Sequence, residues 1–182
     1  QPEAAALAGD LASFVLSKKR AVFFAKESET IAKAYRRTLP SELRSKVKII
    51  QKAHLVDQTD LIVVLGGDGT FLSIARLMKK RGVPVMGVNM GQLGFLTEIK
   101  RSEAKQMLSD ILEGKKCLVR ERALLEVMVR RKSKIVFQGP VVNDAVISKG
   151  AIARIIGLQI AVNGRWVHDV RADGIIVSTP TG

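Results

Sequence analysis

The chain has very little cysteine, histidine or aromatic character, and its acids are outnumbered. Its single cysteine, Cys117, can form no internal disulfide, so the fold is not a disulfide scaffold and the usage fits a reducing cytoplasm. Cys117 itself reads as a small core residue. Aromatic residues make up 4% of the chain and do not alternate with the basic ones, which argues against the stacking platforms that read single-stranded nucleic acid. The two histidines, His54 and His168, match no metal-ligand spacing. No apolar run approaches the roughly 20 residues that a membrane-spanning helix needs. Residues 1–16 are rich in Ala and Leu but carry Glu3 and Asp10 without a leading basic region, so they do not read as a secretory signal.

What is present is the composition of a globular protein. A hydrophobic fraction of 47% over 182 residues argues against disorder and leaves enough for a real core. Thirty Lys and Arg against seventeen Asp and Glu give a formal charge of +13, which suits a phosphate-rich partner, whether nucleotide or nucleic acid. The cluster Lys79-Lys80-Arg81 ends an expected helix, where cations suit the dipole, and reads as a solvated face.

Strand-like and helical patterns alternate along the first part of the chain. Residues 21–25, 47–50, 60–65 and 83–88 read as strands, and 60–65 is apolar almost throughout, as a strand buried on both faces should be. Helices are expected over 29–39 with Ser28 as N-cap, over 70–81, and from Ser102 to a stop at Gly114. Alternation of this kind implies parallel strands in an open, Rossmann-like α/β sheet. After Lys115 only strand-like runs remain: 124–130, 135–137, 141–148, 155–162, 165–170 and 174–178. Asn163-Gly164 is a two-residue hairpin signal between two of them. The expected organisation is an α/β nucleotide-binding domain over 1–115, with 1–17 as a helical extension, followed by an incomplete all-β domain over 116–182.

The sharpest motif is Gly66-Gly67-Asp68-Gly69-Thr70, directly after a buried strand and before a helix. Ligands of open α/β sheets bind at that edge, where glycines admit close backbone approach and successive N–H groups form an anion site. A carboxylate inside a phosphate cradle would repel its ligand unless it holds a metal or accepts a proton, so the motif tilts toward phosphoryl transfer. The plainer alternative is a tight turn in which Asp68 or Thr70 only caps the helix. A second glycine-rich loop, Gly87-Val88-Asn89-Met90-Gly91-Gln92-Leu93-Gly94-Phe95-Leu96, follows the next strand. It offers an amide and an aromatic ring to a nucleotide, or else is a simple turn with Phe95 in the core. Asn143-Asp144 lies inside an apolar run, where polar side chains need partners or form a turn.

These segments carry a family resemblance. GGDGT resembles the signature shared by NAD kinases, diacylglycerol- and sphingosine-type lipid kinases and, with variation, phosphofructokinases. Residues 87–96 are similar to the G-x-N-x-G-x-L-G-F-L segment of NAD kinases, and Asn143-Asp144 resembles their Asn-Glu/Asp pair. Residues 171–182, RADGIIVSTPTG, look like their R-x-D-G-x-x-x-S-T-P-T-G. In the family that segment runs on into a Ser-Thr-Ala-Tyr stretch that lines the NAD site. The resemblance spans about residue 19 to Gly182 and implies a chain cut short at its C-terminal end, whose activity alone stays open.

The resemblance implies transfer of the γ-phosphoryl of ATP, or of polyphosphate, to the 2′-hydroxyl of the adenosine ribose of NAD. Asp68 would accept or orient the hydroxyl proton. Gly66, Gly67, Gly69 and Thr70 would cradle the triphosphate, with Asn89 and Phe95 beside the nucleotide. Asn143 and Asp144 would fix the adenosine, Asp173 and Thr179 would lie on the dinucleotide, and Arg154 and Arg171 would neutralise its pyrophosphate. Mg²⁺ would ride mainly on the ATP phosphates, with no protein ligand assigned. Family members are commonly homo-oligomers, so a dimer or tetramer is expected; the lone cysteine fits the cytoplasm, and neither nucleic acid nor membrane is expected as a partner. A lipid kinase would share GGDGT without requiring the two later segments, and a dinucleotide sensor would bind without turnover.

Overall fold

A computed structural model describes residues 2–78, 82–91, 94–150 and 154–182, and the chain divides into two units, Gln1–Arg120 and Glu121–Gly182. In the first, α1 (Pro2–Ser17) leads to β1 (Val22–Ala25), α2 (Glu29–Thr38), a single-turn α3 (Ser41–Arg44) and β2 (Val47–Ile50). Then come α4 (Leu55–Gln58), β3 (Ile62–Gly66), α5 (Asp68–Ala75), β4 (Val85–Asn89), β5 (Ile99–Lys100) and α6 (Ala104–Leu112). β1 pairs with β2 in parallel, and β3, β4 and β5 form a second parallel sheet in that order.

β3 shows why its sequence is apolar almost throughout. Ile62 and Val64 pack toward Leu55 and Val56 of α4 and Ile74 of α5. Leu61, Val63 and Leu65 point the other way, onto the cluster of Leu7 and Leu11 of α1 with Ala104 and Leu108 of α6. Alternate side chains therefore enter two separate cores, one on each face of the sheet. α1 bridges to a third cluster through Ala12 and Leu16, which meet Phe24 of β1, Ala32 of α2 and Val47 of β2.

Several helix starts differ from the sequence expectation. Ser28 does occupy the N-cap position of α2, but its side chain makes no capping bond; a 3-10 turn, Lys26–Ser28, feeds the helix instead. α5 begins at Asp68 rather than Thr70, and its helical assignment ends at Ala75; Lys79, Lys80 and Arg81 lie outside the described residues. A 3-10 turn, Arg101–Glu103, precedes α6 where Ser102 was expected to open the helix. Gly114, at φ +69°, ends it as expected. Cys117 is half-buried on the segment after α6, not a core residue.

Among its described residues the second unit contains three antiparallel ribbons. β6 (Leu125–Arg131) pairs with β7 (Lys134–Val141), β8 (Asp144–Ser148) with β11 (Gly174–Ser178), and β9 (Ile156–Val162) with β10 (Arg165–Ala172). Asn163 and Gly164 turn the last ribbon with φ of 53° and 76°, the doubly positive backbone of a type I′ hairpin. Lys132 and Ser133 do the same between β6 and β7, at 46° and 63°, without the glycine that would have signalled it. Large apolar side chains, among them Ile135, Val136, Phe137 and Trp166, stay exposed on these ribbons.

The β8–β11 ribbon tolerates no side chain at Gly174. A Cβ there would collide with the Ile147 carbonyl oxygen and lie 3.1 Å from the Ser148 Cα, both backbone atoms that cannot rotate aside. Gly174→Ala is expected to cost about 1–3 kcal/mol, seen as a lower thermal midpoint of the full-length protein. An unchanged midpoint would show that the ribbon yields.

Candidate active site

In the first unit the two glycine-rich loops meet at one edge of the β3–β4–β5 sheet. Gly66 ends β3 and pairs with Asn89, the last residue of β4, which pairs in turn with Lys100 at the end of β5. All three strands are parallel, so these are their C-terminal ends, where an α/β sheet binds its ligands. Gly67 and Gly69 face open space: apart from their own chain neighbours and helix backbone, no atom of the described residues stands within 4 Å of where a Cβ would be. Thr70 lies on the first turn of α5 rather than at its cap and is exposed.

Asp68 does not cap its helix. Its half-buried carboxylate reaches across to the second loop. Oδ2 accepts the Phe95 N–H at 2.7 Å, and Oδ1 accepts the N–H groups of Leu96 at 3.0 Å and Thr97 at 3.1 Å. Oδ1 also accepts the Thr97 hydroxyl at 3.1 Å. Three successive amides thus curl around one carboxylate, the concave arrangement that favours an anion. Hydrogen bonds to an ionised acceptor are roughly twice as strong as neutral ones. Burial pushes the Asp68 carboxyl up, but the amides of Leu96, Phe95 and Thr97 and the Thr97 hydroxyl outweigh it, and the group lies below its ordinary value. It is ionised at neutral pH.

The division of donors between the two oxygens matters chemically. Each carboxylate oxygen offers about two lone-pair directions. Oδ1 is more than filled by three donors, whereas Oδ2 holds one and keeps a direction for another.

The rest of the loop fits this arrangement. Phe95 is 77% exposed, so of the two readings open for this loop the core ring is not the one adopted: its backbone is tied to Asp68 while its ring faces solvent. Asn89 is buried, accepts the Gly91 N–H on Oδ1 at 2.7 Å and donates from Nδ2 to Thr97 Oγ1 at 3.3 Å. Beside it, Met90, Gly91, Lys100, Arg101 and Ser102 line an open depression of about 590 Å³. Thr97 and Gly94 had not been identified as site residues from sequence; a threonine after the loop and one glycine among several carry no local signal.

In the second unit the β8–β11 pairing gathers another group. Asp144 pairs with Ser178, and Asn143, in a bend between β7 and β8 rather than within a strand, precedes it. The buried Thr179 donates its hydroxyl to the Val142 carbonyl and its N–H to the Asn143 carbonyl, the latter at 2.7 Å. Thr181 N–H closes onto Thr179 Oγ1 at 3.0 Å. The Asn143 Oδ1 is buried with no hydrogen-bond partner among the described residues, an unmet acceptor of the kind that a bound donor would satisfy. Asp173 is exposed and paired with Lys149 at 2.7 Å. Arg171 is an exposed residue of β10, and Arg154 an exposed residue just before β9; these two are not drawn into the Asn143–Thr179 group by any hydrogen bond or ion pair among the described residues.

Among the described residues no three His, Cys, Asp or Glu side chains cluster to hold a metal. No helix among them is long and apolar enough to cross a membrane.

Comparison with known proteins agrees along the chain. The ATP-NAD kinase N-terminal domain matches residues 1–116 and the ATP-NAD kinase C-terminal domain residues 142–182. The NAD kinase of Syntrophobacter fumaroxidans is 44% identical over the whole chain, which spans 59% of that protein. The NAD kinase of Aquifex aeolicus is 50% identical over 68% of the chain and 44% of its own length. The chain therefore spans about three-fifths or less of these relatives. Among solved structures, a yeast NADH kinase complexed with NADH shares the fold at TM-score 0.82 and 24% identity, over 100% of this chain and 55% of its own. An NAD kinase from Archaeoglobus fulgidus in complex with ATP matches at TM-score 0.54 and 26% identity, over 87% of this chain and 59% of its own. With both domains matched in order and a relative 44% identical over the whole chain, the chain belongs to the ATP-NAD kinase family.

Proposed function

We propose that the full-length protein transfers the γ-phosphoryl of ATP to the 2′-hydroxyl of the adenosine ribose of NAD. The observation that carries this reading is the Asp68 carboxylate, anchored through Oδ1 with a lone-pair direction of Oδ2 left over. In the reaction the ribose oxygen forms its bond to the γ-phosphorus as the bond from that phosphorus to the bridging β-oxygen breaks. The hydroxyl proton passes to Asp68 Oδ2, and ADP leaves. A carboxyl held below its ordinary value is a weak base, which suits this chemistry. A loose phosphoryl-transfer transition state asks mainly for orientation and charge neutralisation, and the proton moves late.

The backbone of Gly67 and Gly69, open on one side, would approach the triphosphate, with Gly66 and Thr70 completing the turn. Asn89 shapes the second loop, and the exposed Phe95 ring would lie against the nucleotide. Asn143, through its unmet Oδ1, would accept from an adenine amino group, with Asp144, Asp173 and Thr179 along the dinucleotide and Arg154 and Arg171 on its pyrophosphate. A magnesium ion would be carried by phosphate oxygens, since among the described residues Asp68 has no partner acids to form a cage; such an ion would neutralise charge on the transferred group. The exposed apolar ribbon faces support a homo-oligomer, and the lone cysteine supports a cytoplasmic location. Matches to both NAD kinase domains leave the lipid-kinase alternative without support.

The test is to incubate the full-length protein with ATP, Mg²⁺ and NAD and to follow NADP with an NADP-specific dehydrogenase. NADP formation is the expected result. NAD binding by calorimetry without NADP would replace the kinase by a sensor.

A further inference from the structure

Thr97 is fully buried, so it cannot touch a substrate, and yet its hydroxyl sits in a directed chain between two loop residues. Asn89 Nδ2 donates to Thr97 Oγ1 at 3.3 Å, and Thr97 Oγ1 donates to Asp68 Oδ1 at 3.1 Å. With its acceptor side taken by the Asn89 amide, the hydroxyl proton has the carboxylate as its partner.

The physical need for such a group comes from the torsion of aspartate. The terminal rotation of a carboxylate is broad and roughly twofold, so its two oxygens are interchangeable unless donors distinguish them. Backbone amides alone would place two donors on Oδ1 and one on Oδ2. The Thr97 hydroxyl makes it three against one and comes from a side chain locked by burial.

We propose that Thr97, oriented by Asn89, is a positioning residue that fixes the Asp68 carboxylate so that Oδ2 faces the acceptor hydroxyl. This rests on the phosphotransfer reading given above. Among the described residues the groups that face the carboxylate are three amides and one hydroxyl, all neutral, so loss of the hydroxyl removes a bond without changing a charge.

The variant Thr97→Val keeps the shape and the backbone N–H while deleting the hydroxyl. In the full-length protein it should lower kcat about tenfold, with KM for NAD within about twofold of wild type, because a misaimed group costs rate rather than affinity. Thr97→Ser restores the hydroxyl and should recover kcat to within about threefold. A valine variant with wild-type kcat, or a serine variant as slow as valine, overturns the proposal. If valine does not fold, judged by its thermal transition, Thr97→Ala is read by the same criteria.

A second readout is independent of turnover. The Asp68 carboxyl, followed by carbon NMR in labelled protein, should titrate at higher pH in Thr97→Val than in wild type. An unmoved titration overturns the positioning role. If wild-type protein makes no NADP, the kinase reading fails, and the NMR comparison alone decides whether Thr97 holds the carboxylate.

Discussion

Replacing Asp68 with asparagine should reduce NADP formation about a thousandfold, within the range that a positioned acid–base group contributes, while NAD still binds. Asparagine keeps one oxygen and replaces the other with an N–H₂ group. Its oxygen would stay at the Oδ1 position, where three donors converge. The amide nitrogen then stands where Oδ2 was, facing the Phe95 N–H as a donor, and the spare acceptor direction is gone. The adenosine contacts proposed for Asn143 and Asp144 lie elsewhere in the chain and are untouched. Calorimetry should therefore find NAD affinity within about an order of magnitude of wild type, since only a single contact is removed. Turnover near the wild-type rate would remove Asp68 from the mechanism.

The second large effect is expected from a residue that carries no functional group. A Cβ on Gly94 would fall on Asp68 Oδ1, and would also lie 2.7 Å from its Cγ and 2.8 Å from Thr97 Oγ1. None of these can retreat, because the carboxylate is held by four donors and Thr97 is fully buried. Gly94→Ala must therefore either push the carboxylate off its amides or peel the loop away from α5. Either movement misplaces the reacting geometry by an ångström or so, and turnover should fall about a hundredfold. The global fold should survive, because Gly94 lies in the connection between β4 and β5 rather than in a strand or helix. Steady-state kinetics beside a thermal melt separate the two effects. An alanine variant that turns over normally would mean that the carboxylate does not need its present seat.

The sequence carried the frame of the first unit well. β3 is apolar almost throughout because both of its faces are covered, and its contacts divide between α4–α5 and α1–α6 accordingly. β2 and β11 fall where the pattern placed them, as does the Asn163-Gly164 turn. The losses have physical causes. Lys132-Ser133 adopts the doubly positive backbone without a glycine, since ladder bonds on either side impose what local preference would not choose. α4 and β5, of four and two residues, are too short for periodicity to register.

The candidate site was legible as composition but not as wiring. Asp68, Asn89 and Phe95 could be named because glycine-rich loops after buried strands are local signals. That Asp68 turns away from its own helix to hold the other loop could not be read, because its partners lie 27 to 29 residues away. Thr97 escaped for the same reason. Its hydroxyl has meaning only once β4 and α5 have brought Asn89 and Asp68 to it from opposite sides.

The shared carboxylate also makes the two signatures inseparable as parts. Grafted alone onto another strand–turn–helix, GGDGT would supply a glycine turn and an ordinary surface aspartate with both oxygens in water. Grafted alone, the 94–97 segment would present three amides curled around nothing. Any transplant of this centre into a designed scaffold has to carry both loops and the strand spacing that sets them face to face.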